Sequence, residues 1–361
     1  MKASHGTERG GRLGRARRGA VALASLMFLA LPGGCLGPGL VTRDWAPIQV
    51  EEGKSKARGW PAAPAAPRIR YIGSLRANLG AKPSGWSRLW NAITGLGGDS
   101  EQLVRPLGIA LDEADNICLA DPGAGAVYFL DDARRRLTRW TRIGDLEFIS
   151  PVAVAKKGDT LFVADTGRGD VVAFAADGRL LFNITNVLRR PAGLALAGDR
   201  LLVADSLLHS VLVFDLQGNL RAEIGERGEG PGQFNFPTHV ATDAGGRIYV
   251  TDALNGRIQV LDSNLHYLRQ IGSMGDGSGH FSRPKGVAVD TAGRVYAVDA
   301  LFDNVQIFDD QGRFLMDWGT AGSQAGEFWM PAGIAIGRGN RLFVVDSYNR
   351  RVEVFQYVGA P

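Results

Sequence analysis

An aspartate ends a short apolar run six times in this chain, as in Val295–Asp299. The six are Asp121, Asp165, Asp205, Asp252, Asp299 and Asp346. Clustered carboxylates bind metal ions or transfer protons. A catalytic group is needed once, however, whereas these residues recur at regular intervals, and an aspartate side chain readily accepts hydrogen bonds from the backbone of the following turn. We therefore predict a structural role for all six.

His239 is the histidine whose position gives it candidate chemistry. It lies in one of six recurring segments of the chain, at a position where the other five segments have glycine or alanine. An imidazole acts as a metal ligand or a general base, but a zinc site takes three or four protein ligands. The other candidates, His209, His266 and His280, fall in a predicted turn, an outer segment and a glycine-rich loop. The sequence therefore predicts no metal site and no cofactor, and His239 is only a weak catalytic candidate.

Cationic residues flank related segments in three places. Arg105, Arg190 and Arg283 each precede a proline that begins such a segment, and Lys285 follows the last of these prolines. We expect all four to lie near His239 at one end of the fold. Fixed cations around a depression favour an anionic ligand, such as a carboxylate, a phosphate or an acidic loop. The alternative is a solvated rim.

Six copies of one pattern carry all of these residues. The copies begin at Pro106, Pro151, Pro191, Pro237, Pro284 and Pro331. Their spacings are 45, 40, 46, 47 and 47 residues, and each copy shows β-branched and aromatic alternation with turns of the Asp-Gly or Gly-Arg type. A period near 45 with several short strands per copy indicates a propeller. In the fifth copy we predict strands at residues 286–290, 294–299, 305–309 and 313–318.

Two features predict how this ring packs and closes. The third residue of each copy is glycine, alanine or, once, His239, and the fifth is always alanine, which suits innermost strands that converge on an axis. The sixth copy ends after its third strand. Residues 68–73 resemble the fourth strand of an earlier copy, so we predict that they supply the outer strand of the last blade and remove its open edge.

These motifs resemble the NHL-repeat family of six-bladed propellers. The matches are P-x-G-[VI]-A-[VL] in the first strand and D-x-x-N-x-R, which is complete at residues 252–257 and 346–351. The resemblance covers about residues 68–358. It implies an all-β, six-bladed β-propeller with four-stranded blades, in which the N-terminal strand closes the last blade.

The same fold hosts binding modules and enzymes alike. Propeller lyases that cleave peptidyl-α-hydroxyglycine are similar in fold and hold zinc with several channel histidines. A metal-dependent lyase or hydrolase with His239 in the central channel therefore stays open as the alternative function.

The N-terminal residues indicate export. Five arginines precede an apolar run of about 12 residues, which is too short to cross a bilayer and is typical of a signal peptide. The run leads into Leu-Pro-Gly-Gly-Cys35, which resembles a bacterial lipoprotein processing site. We predict a lipoprotein-type signal peptide at residues 1–34 and lipidation of Cys35, which would hold the protein at the cell envelope. Cleavage without lipid is the alternative.

The charge balance gives no support for nucleic-acid binding. The chain has 41 basic and 37 acidic residues, but six of the basic and one of the acidic residues lie in residues 1–34, so the remainder is close to neutral. Residues 35–67 are rich in proline, alanine and glycine and are predicted to form a flexible linker. Cys118 is predicted to be a small buried core residue.

An insertion at residues 76–104 carries a helical apolar pattern. Trp86, Leu89, Trp90 and Ile93 are spaced for one face of a short amphipathic helix over residues 85–94. Trp86 and Trp90 are candidate docking residues for a partner; the alternative is that they pack on the propeller itself.

The sequence thus favours a non-enzymatic binding or scaffold propeller tethered to the cell envelope. The expected ligand-binding residues are Arg105, Arg190, His239, Arg283 and Lys285. We expect a monomer that presents its loops and a basic channel mouth to an envelope protein or to an anionic ligand or glycan, with membrane attachment through lipid on Cys35.

Overall fold

The computed structural model describes residues 39–44, 58–62, 65–76 and 103–359, which belong to one compact unit, Gly37–Pro361. These residues form an all-β structure of six blades arranged in a ring. In these ranges there is no α-helix and no helix that could span a membrane. The predicted signal peptide, Cys35 and the tryptophans Trp86 and Trp90 lie outside the described residues.

The described strands follow one another in a regular order. In chain order they are β1 (Leu40–Asp44), β2 (Gly59–Trp60), β3 (Ile69–Arg76), β4 (Gly108–Leu111), β5 (Ile117–Asp121), β6 (Ala126–Asp131), β7 (Arg136–Trp140), β8 (Arg142–Ile143), β9 (Leu146–Glu147), β10 (Pro151–Lys157), β11 (Thr160–Asp165), β12 (Asp170–Ala175), β13 (Leu180–Ile184), β14 (Pro191–Ala197), β15 (Arg200–Asp205), β16 (Ser210–Asp215), β17 (Leu220–Ile224), β18 (Pro237–Thr242), β19 (Ile248–Asp252), β20 (Arg257–Leu261), β21 (Tyr267–Ile271), β22 (Pro284–Val289), β23 (Val295–Asp299), β24 (Asn304–Phe308), β25 (Phe314–Trp318), β26 (Pro331–Gly337), β27 (Arg341–Asp346) and β28 (Arg351–Tyr357). Single 3₁₀ turns occur at Ala253–Asn255 and Arg338–Asn340.

Each blade is an antiparallel sheet whose first strand is innermost. The blades are β4–β7, β10–β13, β14–β17, β18–β21, β22–β25 and, last, β26–β28 with β3. The four strands predicted for the fifth blade are confirmed to within two residues. The largest difference is at the start of β22, where Pro284 already pairs with Asp299 across an irregularity in the register.

The innermost strands approach one another closely, as the small residues predicted. A Cβ atom added to Gly286 would lie 2.5 Å from the carbonyl oxygen of Ala332 in the next blade, and one added to Gly333 would lie 2.5 Å from that of Leu107. Any larger side chain pointing that way would push neighbouring blades apart. The glycines therefore permit the ring to close around a narrow axis.

The ring closes through the N-terminal strand, which confirms the prediction. Strand β3 pairs antiparallel with β28, with Tyr71 opposite Phe355 and Gly73 opposite Val354. The strand is longer than residues 68–73, since the pairing continues to Arg76. The last blade thus combines both ends of the described propeller and leaves no unpaired edge on β28.

Two stretches of the predicted flexible linker are strands instead, which corrects that prediction for these residues. Strand β1 pairs with β7 on the outside of the first blade, and β2 pairs with β3 on the outside of the last. Trp60 packs edge-on against Phe355 at 5.9 Å, and the Nη1 of Arg58 donates to the carbonyl of Ala325 at 2.7 Å. The physical reason is that outer blade strands offer free backbone groups, with which any extended segment can pair.

The core lies in layers between neighbouring blades. Trp140 meets Phe174 across the first interface with ring centroids 5.3 Å apart, and Trp318 meets Phe355 across the last at 5.6 Å. Cys118 is fully buried in β5, as predicted, and burial raises the pKa of its thiol. Each blade therefore buries its apolar faces only against its neighbours.

Candidate functional site

One end of the propeller carries the residues that the sequence singled out. Each innermost strand begins there at its proline, and the second strand of the same blade ends there at its aspartate, as in the pairing of Pro151 with Asp165. The loops that enter the innermost strands and the turns that leave the second strands therefore share this end. We call it the proline face.

The recurring aspartates build the proline face. The carboxylate of Asp165 accepts hydrogen bonds from the backbone N–H groups of Ile149 and Ser150, at 2.7 and 2.9 Å, and from those of Gly167 and Arg168 in the following turn. The loop before the proline is held in the same way by Asp121, Asp205, Asp252, Asp299 and Asp346. The structural role is confirmed. The bonds to the preceding loop were not predicted, and they fix the backbone on which the arginines stand.

Three of the predicted cations converge on this face. The backbone N–H groups of Arg190 and Arg283 donate to Asp205 and Asp299, at the entrances to the third and fifth blades. Lys285 is half-buried just behind Arg283. Its pKa is lowered chiefly by burial, and further by the positive charges of Arg283 and Arg190. The positive charges of Arg190, Arg283 and Lys285 are therefore close enough to repel one another across the fourth blade.

Among the residues that the structure describes, no acidic side chain pairs with these cations. Within the described ranges, Arg190, Arg283 and Lys285 form no ion pair. The guanidinium of Arg190 lies over the ring of Phe236, 5.4 Å from its centre. Arg105 lies at the entrance to the first blade, and no contact in the described part of the chain joins it to the other three. A cluster of fixed cations without counter-charge attracts an anion.

His239 lies in the channel, as predicted for its position in the innermost strand. It borders a central cavity of about 50 Å³, lined mostly by glycine and aliphatic residues. That volume holds a few water molecules but no organic substrate. Any larger ligand must therefore bind outside the channel, at its mouth.

The environment of His239 keeps the imidazole neutral. Burial, followed by the charge of Lys285, lowers its pKa to about 3. Its Nδ1 is buried and has no hydrogen-bond partner among the described residues. In the same part of the chain, no group of three or more His, Cys, Asp or Glu side chains is placed to hold a metal ion. His239 can accept a hydrogen bond, but with this pKa it is a weak base at neutral pH.

A ring of exposed apolar side chains surrounds the cations. Its members are between 45% and 61% exposed: Val104, Ile149, Leu207, Leu254, Met274, Leu301, Trp329 and Tyr348. The rings of Trp329 and Tyr348 lie 5.5 Å apart and are both open to solvent. We call this set the apolar ring. Exposed apolar residues gathered on one face, rather than scattered singly, mark an interaction surface.

The apolar ring was not predicted, although the repeats contain its signal. Four members stand two residues after a second-strand aspartate: Leu207, Leu254, Leu301 and Tyr348. In the first two blades that position is Gly123 or Gly167, and a Cβ there would collide with Val104 or Ile149. The loop before the proline therefore supplies the apolar side chain in these two blades, so that all six blades contribute a member.

With this geometry, comparison with known proteins defines the class. Residues 234–261 match the model of the NHL repeat, and residues 185–245 and 290–359 match a family model described as a 6-bladed beta-propeller. The described residues thus form a six-bladed β-propeller, and one segment of it matches the NHL repeat. No curated protein sequence matches it.

Solved structures share the fold at low sequence identity. An auxiliary nutrient binding protein from Bacteroides thetaiotaomicron is 12% identical with a TM-score of 0.57, covering 72% of this chain and 70% of that one. A protein of unknown function from the same organism is 14% identical, with a TM-score of 0.54 and coverage of 71% and 70%. Virginiamycin B lyase from Staphylococcus aureus, solved as an inactive variant with quinupristin, is 12% identical, with a TM-score of 0.53 and coverage of 72% and 86%. At this level the likeness shows the fold alone.

Proposed function

We propose that this propeller is a binding or scaffold protein that presents its proline face to a protein partner or an anionic ligand. The observation that carries the proposal is the group of three cations, Arg190, Arg283 and Lys285, which have no counter-charge among the described residues and lie on the same face as the apolar ring. Apolar side chains supply contact area, and the cations select acidic or anionic groups. The nutrient-binding protein of similar fold is consistent with such a role.

Site-specific photo-crosslinking tests which surface is used. A photoreactive amino acid at Leu301, in the apolar ring, is expected to capture a partner in the producing cells. The matched control is Leu268, which is similarly exposed but stands on the outer strand β21. Exchanging Arg190, Arg283 and Lys285 together for Gln should weaken the capture at Leu301 at least about tenfold, because charge complementarity is lost. Equal capture at both positions would refute the proposal.

A metal-dependent lyase or hydrolase remains the second candidate, since the buried Nδ1 of His239 has no partner in the described structure and a lyase shares the fold. Metal analysis of the purified full chain separates the two functions. We expect less than about 0.1 zinc or calcium per chain, because a protein zinc site needs three or four ligands. One equivalent that is lost in His239→Ala would instead favour the enzyme.

The proposed place of action is the cell envelope, with lipid on Cys35. The support is the arginine-rich and apolar N-terminal pattern that leads into this cysteine. In the producing bacterium, labelled palmitate should enter the wild-type protein and not the Cys35→Ser variant, and the variant should move from the membrane to the soluble fraction. Equal labelling of both proteins would exclude lipidation at this residue.

A further inference from the structure

A cavity on the proline face combines apolar walls with cations. It has a volume of about 350 Å³ and lies between the fourth and fifth blades. Leu254, Met274 and Leu301 from the apolar ring border it, together with Arg283 and Lys285. Pockets that bind small organic groups start at about this volume. An occupant must therefore offer both an apolar group and a negative charge.

Thr238 gives independent support for a polar ligand at this cavity. It borders the cavity from strand β18 and is 7% exposed. Its Oγ1 is buried and has no hydrogen-bond partner anywhere in the described structure. A buried hydroxyl without a partner carries a desolvation penalty. Because Oγ1 is closed to solvent as it stands, rotation of the Thr238 side chain toward the cavity would let it donate to a bound acceptor oxygen and remove that penalty.

The positive charges of Lys285 and Arg283 also favour an anionic acceptor as the ligand. Lys285 is half-buried, and no carboxylate in the described part of the chain pairs with it or with Arg283. A single carboxylate can accept from an ammonium, a guanidinium and a hydroxyl at once. The positive charges and the unpaired hydroxyl of Thr238 therefore favour one small anion as the ligand. It would bind at the side of the cavity that Thr238 and Lys285 border.

The surroundings of the cavity favour a peptide as the source of this carboxylate. The apolar ring continues on both sides, from Leu207 to Trp329 and Tyr348, so there is contact surface for the residues that precede a terminal one. The volume accommodates one apolar side chain beside the carboxylate. A free fatty acid would use the cavity but not the rest of the ring.

We propose that this cavity binds the C-terminal carboxylate of a polypeptide whose last side chain is apolar, with Thr238, Arg283 and Lys285 holding the carboxylate and Leu254, Met274 and Leu301 holding the side chain. The proposal rests on the proposed binding function and names its ligand class.

Calorimetric titration of the full chain tests the assignment with three probes. These are acetyl-Gly-Gly-Leu with a free carboxylate, the same peptide as its C-terminal amide, and decanoate. We expect the free acid to bind at least about tenfold more tightly than the amide, because hydrogen bonds to a charged acceptor are lost in the amide. Lys285→Met should weaken the free acid about tenfold, and Lys157→Met, at the opposite end of the propeller, should change nothing.

Thr238→Val separates a binding role from a structural one. Because the hydroxyl has no partner within the described protein, its removal should leave the unfolding midpoint unchanged or raise it, while affinity for the free acid falls at least about threefold. Equal affinity for acid and amide, no binding of the acid up to 10 mM, or binding of decanoate alone would each overturn the proposal. Crosslinking at Leu301 would still succeed in those cases if the proline face binds a partner in another way.

Discussion

Replacing Arg351 with Met is expected to lower the free energy of unfolding by about 3–5 kcal/mol. Arg351 is 1% exposed, and its Nε donates to Asp346 at 2.8 Å. Its two terminal nitrogens donate to the carbonyls of Ser323, Gln324 and Glu327, in the loop between the last two blades. Met would remove these donors from Asp346 and from the three carbonyls, and it would leave the buried carboxylates of Asp346 and Glu353 without the positive charge of Arg351. Urea denaturation of the full chain measures the loss.

The control for this prediction is a surface ion pair in the neighbouring fifth blade. Arg313 pairs with Asp309 at 2.6 Å, but its side chain is mostly exposed. Arg313→Met should therefore cost no more than about 1 kcal/mol. Arg257→Met, at the equivalent buried position of the fourth blade, should resemble Arg351→Met because Arg257 holds Asp252 and the carbonyls of another inter-blade loop. A loss at Arg351 as small as that at Arg313 would contradict this account.

Replacing Glu353 with Gln is expected to stabilise the protein at pH 8 by up to about 3 kcal/mol. Glu353 is fully buried, and burial raises its pKa to about 7. One of its oxygens lies 2.8 Å from the Nη2 of Arg351. Neither oxygen reaches a partner in full hydrogen-bonding geometry among the described residues, although the Tyr71 hydroxyl, the backbone N–H of Gly326 and the charge of Arg351 partly offset the effect of burial on the pKa.

Two other blades have Gln at the equivalent position, and their hydrogen bonds explain why Gln at position 353 should give a higher free energy of unfolding than Glu. Gln259 accepts from the N–H of Gly232 and donates to a loop carbonyl, and Gln306 accepts from Gly279 and donates to His280 at 2.7 Å. A carboxylate can accept such a bond but cannot donate. The amide at position 353 would therefore add a second donor to the loop carbonyl of Glu327, which Arg351 already binds, and it would carry no charge that burial disfavours.

The sign of the pH dependence follows from the raised pKa. Between about pH 4.5 and pH 7 the folded wild type binds more protons at Glu353 than the unfolded chain, so its stability falls as the pH rises through this window. Glu353→Gln should remove that slope in urea titrations from pH 4.5 to pH 8.5, and the reciprocal Gln259→Glu should add one. An unchanged slope in Glu353→Gln would show that another group causes it.

The blades were predictable because their signals are local. Each strand and turn of the fifth blade follows from alternation and turn residues within one copy, and β3 resembles the fourth strands whose place it takes. The docked strands β1 and β2 were not predictable in this way. They contain five and two residues with no periodic pattern, and they form because β7 and β3 leave backbone edges to pair with.

Some properties of the candidate site were likewise predictable from the sequence, and others were not. Position in the repeat placed His239 in the channel and the arginines at the strand entrances. The burial of Glu353, and in the described part of the chain the lack of a counter-charge and of a partner for the Thr238 hydroxyl, depend on which side chains from other blades come near. No single copy contains that information.

The sequence by itself determined the number of blades, the strand order and the strand that closes the ring, because a repeat that cannot bury its own apolar faces must stack on its neighbours. Only the tertiary structure decided that Arg283 and Lys285 border one cavity with Thr238, Leu254 and Leu301. These residues come from different blades, and the distances between their loops depend on the radius of the ring and the twist of the blades, which local periodicity does not encode.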